Sequence, residues 1–338
     1  MSNQRFQNAL QRIPQATPPI WLMRQAGRYH GHYQELRRQY SFIDLCRLPE
    51  VAAEVARGPV ADFGFDAAIL FSDLLFPLEA LGMGLEYTDG GPRLGWQLDP
   101  ESIGRLRTVE EAWPGLLFQG EAVRRTREVL PADRSLIGFV GGPWTLFTYA
   151  VEGKHSGALA PSKRLLGLFA DFCDRLVPLL IRSIDDQYAH GAEAVMVLDT
   201  AAGELSPELY HDLVVPQLER LVAGCRRAPG YYSKATQPAH LRHPLFTDGR
   251  LAGIGVDYRW ELREALEMFN KGFVQGNFDP ALLQLDEAEL EPRLRRWLEG
   301  VKSAPRAGWI CGLGHGVLPG TPEANVRMFV QLVREVMR

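Results

Sequence analysis

Short apolar runs alternate with longer amphipathic segments along nearly the whole chain, and this alternation constrains the fold more than any other feature. The apolar runs predict strands, and most are followed by a segment of helical periodicity. About eight such strand–helix units in one chain of ordinary length are typical of a (β/α)8 barrel. We therefore predict an α/β protein: a single (β/α)8 TIM barrel with an N-terminal extension, residues 1–338 forming one catalytic domain. A doubly wound open sheet is the alternative, but no GxGxxG motif follows the first strand.

The predicted strands are bounded by polar or glycine-rich turns. They are Ile20–Met23, Ala67–Phe71, Leu136–Val140, Ala194–Leu198, Tyr231–Ser233, Gly253–Val256, Phe273–Gln275 and Trp309–Cys311. The predicted helices are Pro49–Ala61, Val123–Leu130, Leu165–Ala189, Pro207–Cys225, Glu261–Phe269, Glu287–Leu298 and Pro322–Met337. Two of these helices follow Ser206 and Thr321, each of which places a capping side chain before a first-turn proline.

Composition argues against several classes of protein. A formal net charge of −4 argues against a nucleic-acid partner, which usually requires a basic face. The four cysteines are widely spaced and form no CxxC pair, so neither a disulfide framework nor a structural zinc site is indicated. The first residues contain no apolar leader, and no apolar run is long enough to span a bilayer. We expect a cytoplasmic protein that binds a small molecule, with no nucleic-acid or membrane partner.

The motif MRQAGRY places Arg24 and Arg28 directly after the first predicted strand. Paired guanidiniums suit the binding of carboxylates or phosphates, because each presents several donors in a planar fork. Solvated surface arginines are the alternative, and they are common. The surrounding stretch has low charge and no acidic partner, so we predict that the pair binds a polyanionic small molecule.

Polar residues follow the other predicted strands, where barrel enzymes build their active sites. They include Asp73, Asp199-Thr200, Lys234, Asp257, Asn277-Asp279 and His315. Asp73 stands alone in the apolar sequence ILFSDLLFPLEALGM. It is interpreted either as a helix N-cap or as a partly buried acceptor that stabilises a developing cation.

Two glycine-rich turns add further candidates. In GFVGGPWTLFTYAVEG the glycines permit close ligand approach, and Tyr149 is a possible hydrogen-bond donor; an ordinary turn with a half-buried phenol is the alternative. In GLGHGVLPGTP the flanking glycines favour presentation of His315 on a thin loop, with a mobile surface loop as the alternative. The pairs His30/His32 and His240/His243 lack a suitably spaced third ligand, so we predict no metal and expect exposed histidines.

These motifs together resemble the uroporphyrinogen decarboxylase family. The resemblance extends over nearly the whole chain and rests on PPIWLMRQAGRY, FSDLLFPLEALGM, GFVGGPWTLFTYAVEG, DTAAGELSP, QGNFDP and GLGHGVLPGTP, in the order of the family. It implies a single (β/α)8 barrel that forms a homodimer, as is usual in the family, and that needs no metal or organic cofactor. The reaction it implies converts the four acetate side chains of uroporphyrinogen III to methyl groups, giving coproporphyrinogen III and carbon dioxide.

The resemblance also implies roles for individual residues. Arg24 and Arg28 would bind substrate carboxylates, and Asp73 would accept the inward pyrrole N–H groups and stabilise a cationic intermediate. The remaining contacts to side-chain carboxylates would come from Tyr149, Thr200 and His315. On this view Asp73, Arg24 and Arg28 are the catalytic residues.

The chain departs from the family at three places. Serine is usual where Thr200 stands, and glycine is usual where Ala235 stands. After the first motif, His30-Gly31-His32 replaces the usual leucine-proline-glutamate. No acid, arginine or glycine-flanked histidine is lost, so the resemblance still implies activity.

Two rival functions remain open. The first is a zinc- or corrinoid-linked methyltransferase of the same barrel superfamily, which needs a His-x-Cys pair that this chain lacks. The second is a non-catalytic tetrapyrrole-binding protein, which would keep the two arginines but would not require Asp73.

Overall fold

In the computed structural model, residues 2–88, 90–154 and 157–338 are described. The α-helices are α1 (Gln4–Leu10), α2 (Gly31–Gln39), α3 (Phe42–Arg47), α4 (Pro49–Phe63), α5 (Phe76–Leu78), α6 (Val109–Ala112), α7 (Leu117–Val129), α8 (Pro143–Glu152), α9 (Ala160–Arg164), α10 (Phe169–Ala189), α11 (Pro207–Leu209), α12 (Val215–Gly224), α13 (Pro244–Thr247), α14 (Leu262–Met268), α15 (Glu287–Lys302) and α16 (Glu323–Val336). The strands are β1 (Ala67–Ile69), β2 (Glu86–Thr88), β3 (Gly91–Arg93), β4 (Ser135–Gly141), β5 (Ala194–Asp199), β6 (Gly230–Ser233), β7 (Gly253–Gly255), β8 (Phe273–Phe278) and β9 (Trp309–Leu313).

A curled parallel sheet of seven strands forms the centre of the fold, in the order β1-β4-β5-β6-β7-β8-β9. Its strands are buried on both faces, as expected where helices cover a parallel sheet. The seven strands match predicted apolar runs, which confirms the α/β class. The antiparallel pair β2–β3 lies outside this sheet and was not predicted.

The predicted strand Ile20–Met23 is wrong as an extended strand, because Ile20 forms only an isolated parallel bridge to Cys311. Two causes limit the pairing: Pro19 has no N–H, and the Ile20 N–H donates to the Asp66 carboxylate at 2.8 Å. The segment still contacts both edges of the sheet. Trp21 N–H donates to the Cys311 carbonyl at 3.1 Å, and Asp66 N–H donates to the Ile20 carbonyl at 3.0 Å.

Most of the long helices are confirmed, with shifts of a few residues at their ends. The helix α7 begins at Leu117 rather than Val123, and the predicted helix Pro207–Cys225 is divided into α11 and α12 by a π-helical segment at Tyr210–Val214. Ser206 caps its helix as predicted, since its side chain accepts a hydrogen bond from Leu209 N–H. The predicted cap at Thr321 is wrong. Pro322, with an extended ψ of 133°, occupies the cap position instead, and the helix α16 begins at Glu323.

The core lies between the sheet and the surrounding helices and contains large aromatic side chains. Trp21, Trp144, Trp309, Tyr210 and Tyr231 are all at most 1% exposed. Fully burying an apolar side chain contributes about 1.5–3 kcal/mol, so these residues are a major source of stability. Among the described residues, the helices are too short or too polar to cross a membrane.

The turn after β6 contains backbone strain at Ala235, whose φ is +60°. Its N–H donates to the buried Asp257 carboxylate at 2.6 Å, which holds the residue in this left-handed conformation. We expect Ala235→Gly to raise the free energy of unfolding by about 0.5–1 kcal/mol, because glycine adopts this conformation without the Cβ clash. Urea unfolding measures the change. Ala112→Gly, at an ordinary φ of −78°, is the matched control and should be destabilising; a loss of stability in both variants would contradict the expectation.

Candidate active site

A cavity of about 960 Å³, including its open mouth, lies at the carboxyl ends of β1, β4 and β5. Its apolar wall includes Met23, Ile69, Leu70, Phe71, Leu74, Leu75, Phe139 and Leu198. Its polar lining includes five of the six predicted site residues, namely Arg24, Asp73, Tyr149, Thr200 and His315. The cavity therefore combines a broad apolar surface with a few converging charged and hydrogen-bonding groups, which is typical of a small-molecule site.

Arg24 enters the cavity from an unusual backbone conformation, with a φ of +57°. Gly316, in the loop after β9, packs against the aliphatic stem of Arg24, and a Cβ at this glycine would collide with that stem. Within the described part of the chain, the guanidinium of Arg24 forms no ion pair with a carboxylate. Strain of this kind persists only where the surroundings hold it, and it is concentrated at functional sites.

Arg28 does not line this cavity. It lies on an adjacent, more open groove with Tyr33, Arg37, Phe42 and Tyr87. The two arginines therefore line different depressions of the surface, although their spacing suggests a single fork. The Arg28 side chain is instead placed at the edge of the site.

Asp73 lines the cavity and also closes its own turn. One carboxylate oxygen accepts a hydrogen bond from Leu75 N–H at 2.8 Å. The cap of α5 is Leu75, so the interpretation of Asp73 as a helix N-cap is wrong. Burial raises the pKa of Asp73, while the hydrogen bond from Leu75, the Tyr87 hydroxyl and the charge of Arg24 act in the opposite direction.

Tyr87, on β2, is a site residue that sequence reasoning missed. Its ring packs on Phe42 with centroids 4.6 Å apart. Its buried hydroxyl lies near enough to the Asp73 carboxylate to lower the pKa of that group, although no hydrogen bond of normal geometry is formed to it in the described parts of the chain. Burial and then the charge of Asp73 raise the pKa of this phenol. No pattern in the sequence indicates the residue, because it belongs to a short polar hairpin outside the main sheet.

Tyr149 and Thr200 come from neighbouring elements, since α8 follows β4 and Thr200 follows β5. Tyr149 is half-buried, and burial followed by the charge of Asp73 raises the pKa of its phenol. Tyr149 is therefore a protonated donor at neutral pH. Thr200 presents its hydroxyl at the end of β5, next to the fully buried Asp199.

His315 is held by Tyr232 of β6. The two rings stack at 6.0 Å with an interplanar angle of 9°, and the Tyr232 hydroxyl is hydrogen-bonded to His315 Nδ1 at 3.0 Å. Burial, followed by the positive charges of Arg24, Lys234 and Arg259, lowers the pKa of His315 to about 3. The imidazole is therefore neutral across the physiological range.

This shift predicts a loss of stability in acid. Below about pH 6.5 an unfolded histidine takes up a proton that folded His315 does not, so stability falls as the pH falls. The free energy of unfolding should fall less between pH 7 and pH 5 in His315→Gln than in the wild type. We expect the difference to be about 1 kcal/mol, a value that allows for the partial exposure of the imidazole. Urea unfolding at both pH values measures it, with His243→Gln as a control outside the cavity. If His315→Gln and the wild type lose the same unfolding free energy between pH 7 and pH 5, the lowered pKa assigned to His315 is contradicted.

Other predicted strand-end residues do not line the cavity. Asp257 binds Ala235 N–H and Arg259, and Asn277 donates to the carbonyls of Asp257 and Trp260. These side chains stabilise the loops after β6, β7 and β8. The cavity instead occupies the side of the sheet nearest β1, β4 and β5.

The expectation of exposed histidines is wrong for His30 and His240, which are 0% and 4% exposed. His30 Nε2 is hydrogen-bonded to Asp62 at 2.7 Å, and His240 Nε2 to the Leu205 carbonyl at 3.0 Å. Partners distant in sequence therefore allow burial. The described residues contain no group of three His, Cys, Asp or Glu side chains arranged to hold a metal ion.

The fold and site define a class: α/β proteins that bind a charged small molecule at the carboxyl ends of a curled parallel sheet. A sequence profile described as "Uroporphyrinogen decarboxylase (URO-D)" matches residues 1–336. The chain belongs to the uroporphyrinogen decarboxylase family.

Curated relatives agree with this membership, and a solved structure shares the fold. The uroporphyrinogen decarboxylase of Pelobacter propionicus is 35% identical, with 99% of each chain covered. That of Myxococcus xanthus is 36% identical over 98% of this chain and 96% of the relative. A methyltransferase from Methanosarcina mazei shares the fold, with a TM-score of 0.75, 18% identity and 99% of each chain covered.

Proposed function

We propose that this chain decarboxylates the four acetate side chains of uroporphyrinogen III, giving coproporphyrinogen III and carbon dioxide in haem biosynthesis. One observation carries the proposal. The cavity brings the single carboxylate of Asp73 together with Arg24, Tyr149, Thr200 and His315, all matched to motifs of the family. A substrate with a ring of N–H donors inside and carboxylate arms outside fits that arrangement.

The reaction needs a place for the electrons of the broken bond. A proton adds to a pyrrole carbon next to the acetate arm and makes the ring a cation. The bond between the arm and its carboxylate then breaks, carbon dioxide leaves, and the electron pair neutralises the ring. The exocyclic methylene takes a proton and the ring carbon loses one, so each cycle consumes one proton and yields one methyl group. Because the substrate is its own electron sink, the proposal includes no cofactor.

Asp73 is assigned the role of stabilising the cationic ring. A carboxylate in an apolar cavity acts at low local dielectric, where electrostatic stabilisation of a transition state is strongest. Leu75 N–H occupies one lone pair of one oxygen, and the Tyr87 hydroxyl lies close to the same carboxylate. The remaining lone pairs are assigned to the pyrrole N–H donors. Burial already raises the free energy of this anion, and a cationic ring above it relieves that penalty.

The remaining site residues are assigned to the carboxylate arms. Arg24 neutralises an arm inside the cavity, and Arg28 receives an arm that extends into the adjacent groove. Tyr149, Thr200 and neutral His315 add hydrogen bonds. An arginine is a poor proton donor, because its pKa exceeds about 12, so water or a carboxyl group is assigned that step.

The proposal extends to the architecture. Contacts of the Ile20 segment with β9 and with the residue before β1 support its role as the eighth strand of a (β/α)8 barrel, with residues 1–338 as one catalytic domain. The family resemblance supports a homodimer, and the composition supports a cytoplasmic protein with no nucleic-acid or membrane partner.

The deciding experiment is anaerobic incubation of the purified protein with uroporphyrinogen III, followed by oxidation and separation of products by carboxyl count. Stepwise appearance of seven-, six-, five- and four-carboxyl products supports the proposal. Binding without any loss of carboxyl groups would favour the tetrapyrrole-binding alternative. The methyltransferase alternative requires stoichiometric zinc in the purified protein, which elemental analysis measures.

A further inference from the structure

Asp199, the last residue of β5, is a fully buried carboxylate that the proposed reaction does not use. It forms no ion pair within the described residues. Burial raises the pKa of Asp199 to about 6, even though hydrogen bonds lower it. An unpaired buried carboxylate is destabilising, so its contacts require a physical account.

Those contacts lead to α8, the helix that carries Tyr149. One oxygen of Asp199 accepts hydrogen bonds from Thr145 N–H at 2.8 Å and from the Thr145 hydroxyl at 2.6 Å. Thr145 lies in the first turn of α8, where unpaired N–H groups favour an anion. The cap residue of α8, Gly142, has no side chain of its own. Asp199 therefore caps α8 from the neighbouring strand.

Gly142 makes this approach possible. A Cβ at position 142 would collide with Cβ and Cγ of Asp199. The Gly142 N–H also donates to the Leu198 carbonyl at 2.8 Å, which joins the start of α8 to the end of β5. The glycine-rich turn thus gives room to a carboxylate of the protein itself.

The Thr145 hydroxyl makes a second connection, because it accepts a hydrogen bond from Ala201 N–H at 3.0 Å. Asp199 and Ala201 are both fully buried and both bound to Thr145. Thr200 lies between them, so its backbone is fixed to α8 on both sides. Tyr149 follows Thr145 by four residues and lies on the same face of that helix.

We infer that Asp199 and Thr145 form a positioning clip that sets the placement of Thr200 relative to Tyr149 and thereby the fit of the substrate's carboxylate arms. The effect on the fit of the carboxylate arms rests on the proposed function. The placement of Thr200 relative to Tyr149 does not. Neither Asp199 nor Thr145 lines the cavity, so both act through other residues. The other oxygen of Asp199 faces Tyr231, which in turn accepts a hydrogen bond from Tyr210.

The kinetic test compares Thr145→Val, which removes both hydroxyl contacts, with Thr145→Ser, which keeps them. The control is Thr126→Val, since Thr126 is equally buried and its hydroxyl donates to Ala122 within α7. We expect kcat/KM for uroporphyrinogen III to fall at least tenfold in Thr145→Val, to stay within threefold in Thr145→Ser, and to be unchanged in Thr126→Val. Equal kcat/KM in folded Thr145→Val and Thr126→Val would overturn the inference.

Two further measurements separate this inference from the proposed function. The Thr145→Val and Tyr149→Phe substitutions should be less than additive in kcat/KM, because both act on one contact; additive losses would contradict the clip. Crystal structures of Thr145→Val and Thr126→Val test the inference even if the wild-type protein has no decarboxylase activity. Displacement of Thr200 relative to Tyr149 only in Thr145→Val supports the clip, and identical placement in both refutes it.

Discussion

Asp73→Asn is expected to lower kcat for uroporphyrinogen III by about 10²–10³-fold, the usual cost of removing one key electrostatic contact. The amide keeps the oxygen that accepts the Leu75 N–H, so the turn is retained while the negative charge is lost. The neutral amide also avoids the burial penalty that raises the pKa of Asp73. Thermal stability at pH 7 should therefore be equal to or above that of the wild type. Steady-state kinetics and thermal unfolding of the same preparations measure both quantities.

Asp279→Asn is the matched control for this experiment. Asp279 accepts a hydrogen bond from Ala281 N–H at 2.9 Å, two residues along the chain, in the same way that Asp73 accepts from Leu75. It also follows a strand of the sheet but lies outside the cavity. We expect its kcat to be unchanged. Retention of more than a tenth of wild-type kcat by Asp73→Asn would contradict the role assigned to this carboxylate.

The parallel sheet could be predicted from the sequence because its strands are buried on both faces. Such strands appear as short continuous apolar runs, and Ala194–Leu198 and Trp309–Cys311 each lie within an observed strand. The first predicted strand failed because its pairing depends on the Asp66 side chain, which competes for the Ile20 N–H. That competition arises from a residue distant in the chain, which local periodicity does not report.

The chemistry of the site could be predicted more readily than its geometry. The motifs identified Arg24, Asp73, Tyr149, Thr200 and His315, and one cavity contains all five. The location of Arg28 on a separate groove and the positive φ of Arg24 are not indicated by any residue pattern.

The strained turn at Ala235 shows the same limit. The sequence resemblance marks this position as one where glycine is usual, and the structure supplies the reason in a φ of +60°. The sequence is enough to recognise that Ala235 departs from the family. It does not reveal the backbone conformation that makes this departure unfavourable.

Arg24 has the second large expected effect, and its backbone conformation allows two contributions to be separated. We expect Arg24→Ala to lower kcat/KM for uroporphyrinogen III by about 10²-fold, mainly through KM, because a carboxylate arm then lies in an apolar cavity without its cation. Arg24→Gly should lower kcat/KM equally. The two variants should differ in stability, since alanine keeps the unfavourable φ of +57° and glycine relieves about 1 kcal/mol of it.

Arg28→Ala is the comparison within the same motif. Both arginines are exposed, but Arg28 lies on the open groove outside the cavity. We therefore expect a loss in kcat/KM of about tenfold or less. Steady-state kinetics at two salt concentrations, with urea unfolding of each variant, give all the required values. Equal kinetic losses at the two arginines would show that both act as one clamp, and unchanged kinetics in Arg24→Ala would remove it from the site. A gain in stability with loss of activity in Arg24→Gly is the result expected if the strained backbone is retained to direct this guanidinium into the cavity.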